Sequence, residues 1–194
     1  MKEFDKKLEE KALELGADYV QFLDIEDVVV DQRVRLKCQV PICPHYNNNL
    51  MCPPHIPSVE MFKKALKNYE KAFFVQIITS VNSLDNGNNI EDDWEERSKD
   101  HEGYKKELLD IMNELERFAF KEGYHLATGL IGGSCPLCDK CVIEEGSTEC
   151  RHPYMARPSM EGLGIDVIET CKNAGIQINL SSEEKVRWNG LLLL

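Results

Sequence analysis

No stretch of this sequence is apolar for long enough to cross a bilayer, which takes about 20 such residues in a helix. The run Leu191-Leu192-Leu193-Leu194 is far too short and reads as the buried end of a strand. Basic residues are also scarce: 23 Lys and Arg stand against 34 Asp and Glu, a net charge of −11. Gripping a phosphate backbone needs a surplus of positive charge on one face, so neither nucleic acid nor a membrane is an expected partner. An acidic surface suits solubility and a basic protein partner, without specifying either. The start, Met1-Lys2-Glu3-Phe4-Asp5-Lys6-Lys7, lacks the apolar stretch of a secretory leader, and the expected location is a reducing cytoplasm. Catalytic signatures are few. Gly129-Leu130-Ile131-Gly132-Gly133 lacks the spacing and the following Lys-Ser/Thr of a phosphate loop. No Ser–His–Asp arrangement stands out, and Asp92-Asp93 with Glu95-Glu96 reads as a solvated helix start.

What is present suits one globular core. At 194 residues, with 42% hydrophobic and 29% charged residues, the chain is long enough for one well-buried domain, 1–194, and short for two. Phe4, Leu8, Ala12 and Leu15 recur at helical spacing, with Gly16 placed to end the helix. Tyr19–Leu23 reads as a strand, and Val28–Leu36 as a second strand leading into Cys38. Ser58 is a candidate N-cap for a helix carrying Met61, Phe62, Leu66 and Tyr69, and Ala72–Ile78 follows as a buried strand. Residues 80–93 are polar and read as a surface excursion. Tyr104, Leu108, Ile111, Met112, Leu115, Phe118 and Ala119 make the stripe of a long helix that ends before Gly123. Tyr124–Ile131 is the next strand expected. Asp166 with Glu169 signals a short capped helix stopped by Gly175, and Ile176–Leu180 and Trp188–Leu194 are the last strand candidates. The expected fold is α+β or α/β: a single-domain sandwich of a mixed sheet and helices, with two cysteine-rich metal-binding loops at strand ends.

Eight cysteines carry the chemistry. In a reducing compartment disulfides are disfavoured, and clustered thiols point to metal or redox chemistry. Cys135, Cys138 and Cys141 form C-x2-C-x2-C, with Cys150 following. Thiolates at this interval can wrap three corners of one iron–sulfur cubane, and a fourth arrives from further on. Zinc sites more often use two separated C-x2-C pairs, so the pattern leans towards 4Fe–4S, with zinc as the alternative. Gly132, Gly133 and Gly146 would let the loop turn its N–H groups towards sulfur. Arg151 and Arg157 are candidates to stabilise the anionic cluster, against the plainer reading of surface salt bridges.

Cys38, Cys43 and Cys52 form a second set, C-x4-C-x8-C, in a stretch from 38 to 57 that holds five prolines and no hydrophobic period. Pro44 and Pro53-Pro54 follow two of its cysteines and stiffen the loop. This set has three thiolates and no obvious fourth donor. His45, His55, Cys171, an external molecule or a cysteine lent by the other loop are the candidates. Cys171 shares a helix face with Val167 and Ala174 and reads better as a small buried hydrophobe. An unfilled position would leave one iron open to substrate.

The residues Cys38-x4-Cys43-x2-Tyr46-x5-Cys52-Pro53-Pro54, Gly133-x-Cys135-x2-Cys138-x2-Cys141 and Cys150-Arg151-x-Pro153-x3-Arg157-Pro158-Ser159-Met160-Glu161 carry a resemblance. The chain resembles, over nearly its whole length, the cysteine-rich predicted metal-binding proteins found largely in anaerobic bacteria and methanogenic archaea, a domain of unknown function. The resemblance implies metal binding through the seven loop cysteines, with Cys171 outside the set. Three functions are consistent with these residues. The first is a protein with one or two 4Fe–4S clusters that carries electrons to a redox partner. The second is an enzyme with an open cluster at Cys38, Cys43 and Cys52. The third is a structural zinc protein acting as an interaction module.

Overall fold

Phe73, Val75 and Ile77 alternate with Ala72, Phe74 and Gln76, so one strand carries apolar side chains on both faces. Such a strand needs cover above and below, and the architecture supplies it. The computed structural model describes residues 3–80, 90–177 and 185–194. Its elements run α1 (Glu3–Glu14), β1 (Tyr19–Asp24), α2 (Gln32–Leu36), α3 (Val59–Leu66), β2 (Lys71–Ser80), α4 (Ile90–Lys121), β3 (Thr128–Ile131), α5 (Val167–Asn173) and β4 (Lys185–Leu193). The strands form one sheet in the order β1–β2–β4–β3, and every pair is antiparallel. The fold is therefore α+β. The mixed sheet expected from the sequence is not found among the described residues, and a parallel α/β arrangement is excluded for these four strands.

One face of the sheet is covered by α1 and α4. Leu8 and Ala12 of α1 and Leu108, Ile111, Met112, Leu115 and Ala119 of α4 pack with Phe73, Val75, Ile77, Ile131 and Leu192. The helical stripes read from the sequence thus bury as expected, and Gly16 and Gly123 follow their helices with φ of 105° and 101°. On the other face Ala72, Phe74, Leu130, Leu191 and Leu193 meet Phe62 and Leu66 of α3, Cys171 of α5, and Met160, Leu163 and Ile165 from the segment before α5. Leu191–Leu194 is buried, as a central strand end should be. Ser58 and Asp166 both cap as their types suggest, accepting from the N–H groups of Met61 and Glu169.

Three local readings are corrected. Val28–Leu36 is not a strand: beyond a single bridge from Val30 to Ile165 it becomes α2, whose N-cap Asp31 accepts from the Arg33 N–H at 2.7 Å. Val34 and Leu36 alternate with Arg33 and Arg35, but five residues are too few to separate a period of two from one of 3.6, and the cap decides. The first cysteine loop therefore leaves a helix rather than a strand end. Tyr124–Ala127 is a turn, and only Thr128–Ile131 enters the sheet. Ile176 closes the end of α5 through its N–H to the Cys171 carbonyl, and 178–180 lie outside the described residues. The polar excursion falls largely on 81–89, also outside them.

Gly190 lets α4 approach the sheet. It pairs with Val75 and Ile131, and a Cβ there would lie 2.6 Å from the Met112 sulfur and 3.3 Å from Leu108 Cδ1. Gly190→Val should lower stability by about 1–3 kcal/mol through overpacking, read from urea unfolding. An unchanged midpoint would mean that α4 shifts freely.

Candidate metal centre

The two cysteine loops lack a hydrophobic face, so backbone groups and side chains must hold them. The second loop leaves the end of β3, the exposed edge of the sheet. Its far end returns along the same strand: Ile131 N–H donates to the Pro158 carbonyl at 3.2 Å, and Met160 N–H to the Ile131 carbonyl at 2.9 Å. Between them, the Ser159 N–H donates to the Met51 carbonyl of the first loop at 3.0 Å. Asn49 adds a second tie. It is buried, donates from Nδ2 to the Cys135 carbonyl at 3.2 Å, and accepts from the Met51 N–H at 2.9 Å. Close contact also requires Gly162, where a Cβ would stand 2.9 Å from Pro53 Cδ and 2.7 Å from Ile56 Cδ1.

These ties bring both cysteine sets to one region. In the four-cysteine set two sulfurs receive a backbone N–H, and the Arg151 guanidinium stands beside a third, Cys138. Leu50 N–H, from the other loop, lies 3.4 Å from Cys141 Sγ, and His152 N–H lies 3.3 Å from Cys150 Sγ. Burial, aided by Cys150, Cys138 and Cys141, pushes the Cys135 thiol up, with the Leu137 N–H opposing it.

Cys38, Cys43 and Cys52 line a cavity of about 240 Å³ together with His45, Tyr46, Pro53, Lys105, Gly133, Ser134, Ser159 and Glu161. No hydrogen-bond donor reaches these three sulfurs among the described residues. Cys52 is the most buried, and burial first, then Cys43, Cys38, Glu161 and Cys135, pushes its thiol up to about 12. Cys38 is raised for similar reasons, with Arg35 opposing. The donor chemistry fits a thiolate-bound metal, and the cavity has room for a polyatomic group. Among the described residues, no three His, Cys, Asp or Glu side chains are gathered tightly enough to hold a single ion.

The remaining sequence candidates separate clearly. Arg151 lies against the four-cysteine set, bonded also to the Lys140 carbonyl and, at 2.5 Å, to Glu145. The half-buried Arg157 is committed elsewhere: it forms two hydrogen bonds to Glu116, at 2.9 and 2.7 Å, while Glu116 also accepts from the Gly129 N–H. The bidentate geometry makes this a structural ion pair. His45 lines the cavity from an exposed position; His55 is exposed and outside it. Cys171 is fully buried in the core. Gly133 has φ of 77°, but its N–H serves the Glu161 carboxylate at 3.1 Å rather than a sulfur. Asn49, Lys105, Ser159 and Glu161 were not assigned roles from the sequence. Ser159 and Glu161 stood in the shared motif; Asn49 was hidden in an asparagine triplet and Lys105 on a charged helix face.

Seven thiols on two joined loops define a cysteine-rich α+β protein whose donors are of the kind that suits a soft metal. The chain matches the family described as predicted metal-binding protein (DUF2284) over residues 21–194, and it belongs to that family. No curated protein and no solved structure matches it. Among the described residues no helix is long and apolar enough to cross a membrane.

Cys171 offers a test of the division between ligand and core. Burial lifts its thiol from 9.0 to about 11, so the folded chain holds that proton more tightly than the unfolded chain. The resulting stability is complete below pH 9 and is lost as pH rises through 11. Cys171→Ala should keep the full metal content and flatten the fall of stability between pH 9 and 11, measured by urea unfolding at stepped pH. Loss of metal would instead make Cys171 a ligand.

Proposed function

We propose that this chain is an iron–sulfur protein, with one 4Fe–4S cluster on Cys135, Cys138, Cys141 and Cys150 and a second on Cys38, Cys43 and Cys52, serving electron transfer. The observation that carries this reading is the C-x2-C-x2-C interval followed by Cys150, with backbone donors on the Cys141 and Cys150 sulfurs. Hydrogen bonds to sulfur are among the main levers on a cluster's potential, because they stabilise the more negative reduced state. Bound there, a cubane supplies reversible one-electron chemistry. Arg151 adds positive charge beside Cys138, and the buried Asn49 keeps the two loops in register. The joining of the two loops at Asn49 and Leu50 supports passage of electrons from one set to the other.

The cavity beside Cys38, Cys43 and Cys52 favours a second reading, an enzyme that admits substrate to the three-cysteine site. Tyr46, Ser134 and Lys105 would then contact the substrate.

Anaerobically purified protein should be brown, carry about eight iron atoms and as many sulfides per chain, and bleach on reduction. Cys138→Ser should remove about half of the iron. A colourless preparation with stoichiometric zinc would overturn the proposal in favour of a structural zinc module, which chelators would unfold.

A further inference from the structure

The three-cysteine site has a donor that the cysteine and histidine count does not include. We infer that Glu161 is the fourth ligand of the Cys38, Cys43 and Cys52 cluster, binding one iron through its carboxylate oxygen Oε1. The inference rests on the iron–sulfur reading above.

Glu161 reaches the site from the segment that lies along β3, more than a hundred residues after the cysteines it joins. It lines the same cavity as all three of them. Its two oxygens are in different circumstances. Oε2 accepts from the Gly133 N–H at 3.1 Å and from the Ser159 hydroxyl at 2.9 Å. The Ser159 oxygen is itself held by the Gly162 N–H at 3.1 Å, and Ser159 is buried. The carboxylate is therefore oriented by a chain of fixed groups, while Oε1 has no hydrogen-bond partner among the described residues. This is how supporting groups commonly orient a ligating carboxylate. Cationic iron would draw the three thiolates and the carboxylate together.

The other candidates fit less well. Cys171 is in the core and His55 is outside the cavity, whereas His45 is exposed and belongs to the same short loop as Cys43. Lys105, on α4, also lines the cavity, and its ammonium lies over the Trp188 ring. An oxygen donor suits iron in a sulfur-rich cluster less well than a thiolate does. Glu161 would thus hold the weakest-bound corner, the one a substrate could displace in the enzyme reading.

The test uses the full chain, purified anaerobically, with iron and sulfide analysis, EPR and Mössbauer spectroscopy. Glu161→Gln keeps an acceptor for Gly133 and Ser159 but removes the anionic ligand. It should lower iron by about one atom per chain and bring up the oxidised EPR signal of a three-iron cluster, leaving the four-cysteine cluster unchanged. Glu161→Cys should restore the lost iron with an all-sulfur Mössbauer spectrum. If the variants fail to fold, the wild-type Mössbauer spectrum still decides: one iron with an oxygen ligand is expected. Full iron content and an unaltered spectrum in Glu161→Gln, or all-sulfur iron in the wild type, would overturn the assignment. Wild-type protein without iron and sulfide would instead remove the iron–sulfur reading itself, and this inference with it.

Discussion

The pairing of Pro158–Met160 with the free edge of β3 is the constraint on which the rest of the metal region depends. An edge strand offers unpaired N–H and C=O groups, and here they are taken by a segment of the same chain. The two hydrogen bonds with Ile131 fix Ser159 between them, and its N–H is then free to hold Met51. One short backbone interaction thus anchors the returning end of the second loop and the middle of the first. The antiparallel sheet beneath is rigid because both of its faces are packed, so the anchor is inherited from the core.

Electrostatics then divides the region. A protein of net charge −11 gathers seven thiols and a carboxylate in one place, which would be unfavourable if all were ionised. The four-cysteine set meets this with backbone donors on Cys141 and Cys150 and with Arg151 beside Cys138. The three-cysteine set has no such donors among the described residues; it has burial, Glu161 and Lys105. Thiols that resist ionisation in the metal-free chain give up their protons when metal binds, so folding, metal and pH are linked there. The two sets are accordingly unlike: one has backbone donors on two of its sulfurs, and the other lines a cavity.

Much of the fold could be read from local pattern. The stripes of α1 and α4, the caps Ser58 and Asp166, and the strands of Ala72–Ile78 and Trp188–Leu194 all follow from periodicity and cap chemistry. The failures were short segments. Val28–Leu36 satisfied two periods at once, and Tyr124–Ala127 was apolar enough to look extended although a turn claimed it. The bidentate bond of Arg157 to Glu116 depends on where α4 passes, which no local pattern encodes.

The sequence by itself determined the donors: seven cysteines in two sets, at intervals that suit thiolate ligation, and an eighth placed on an apolar helix face. Ligand spacing is a local property, so it survives without knowledge of the fold. Only the tertiary structure decided that the two sets adjoin, that Asn49 and Leu50 of one loop serve cysteines of the other, and that Glu161 and Lys105 share a cavity with Cys38, Cys43 and Cys52. These contacts join residues tens to more than a hundred positions apart, through the edge of β3 and the wall of α4. Their cause is the packing of a sheet between helices, which brings distant segments together wherever backbone groups need partners.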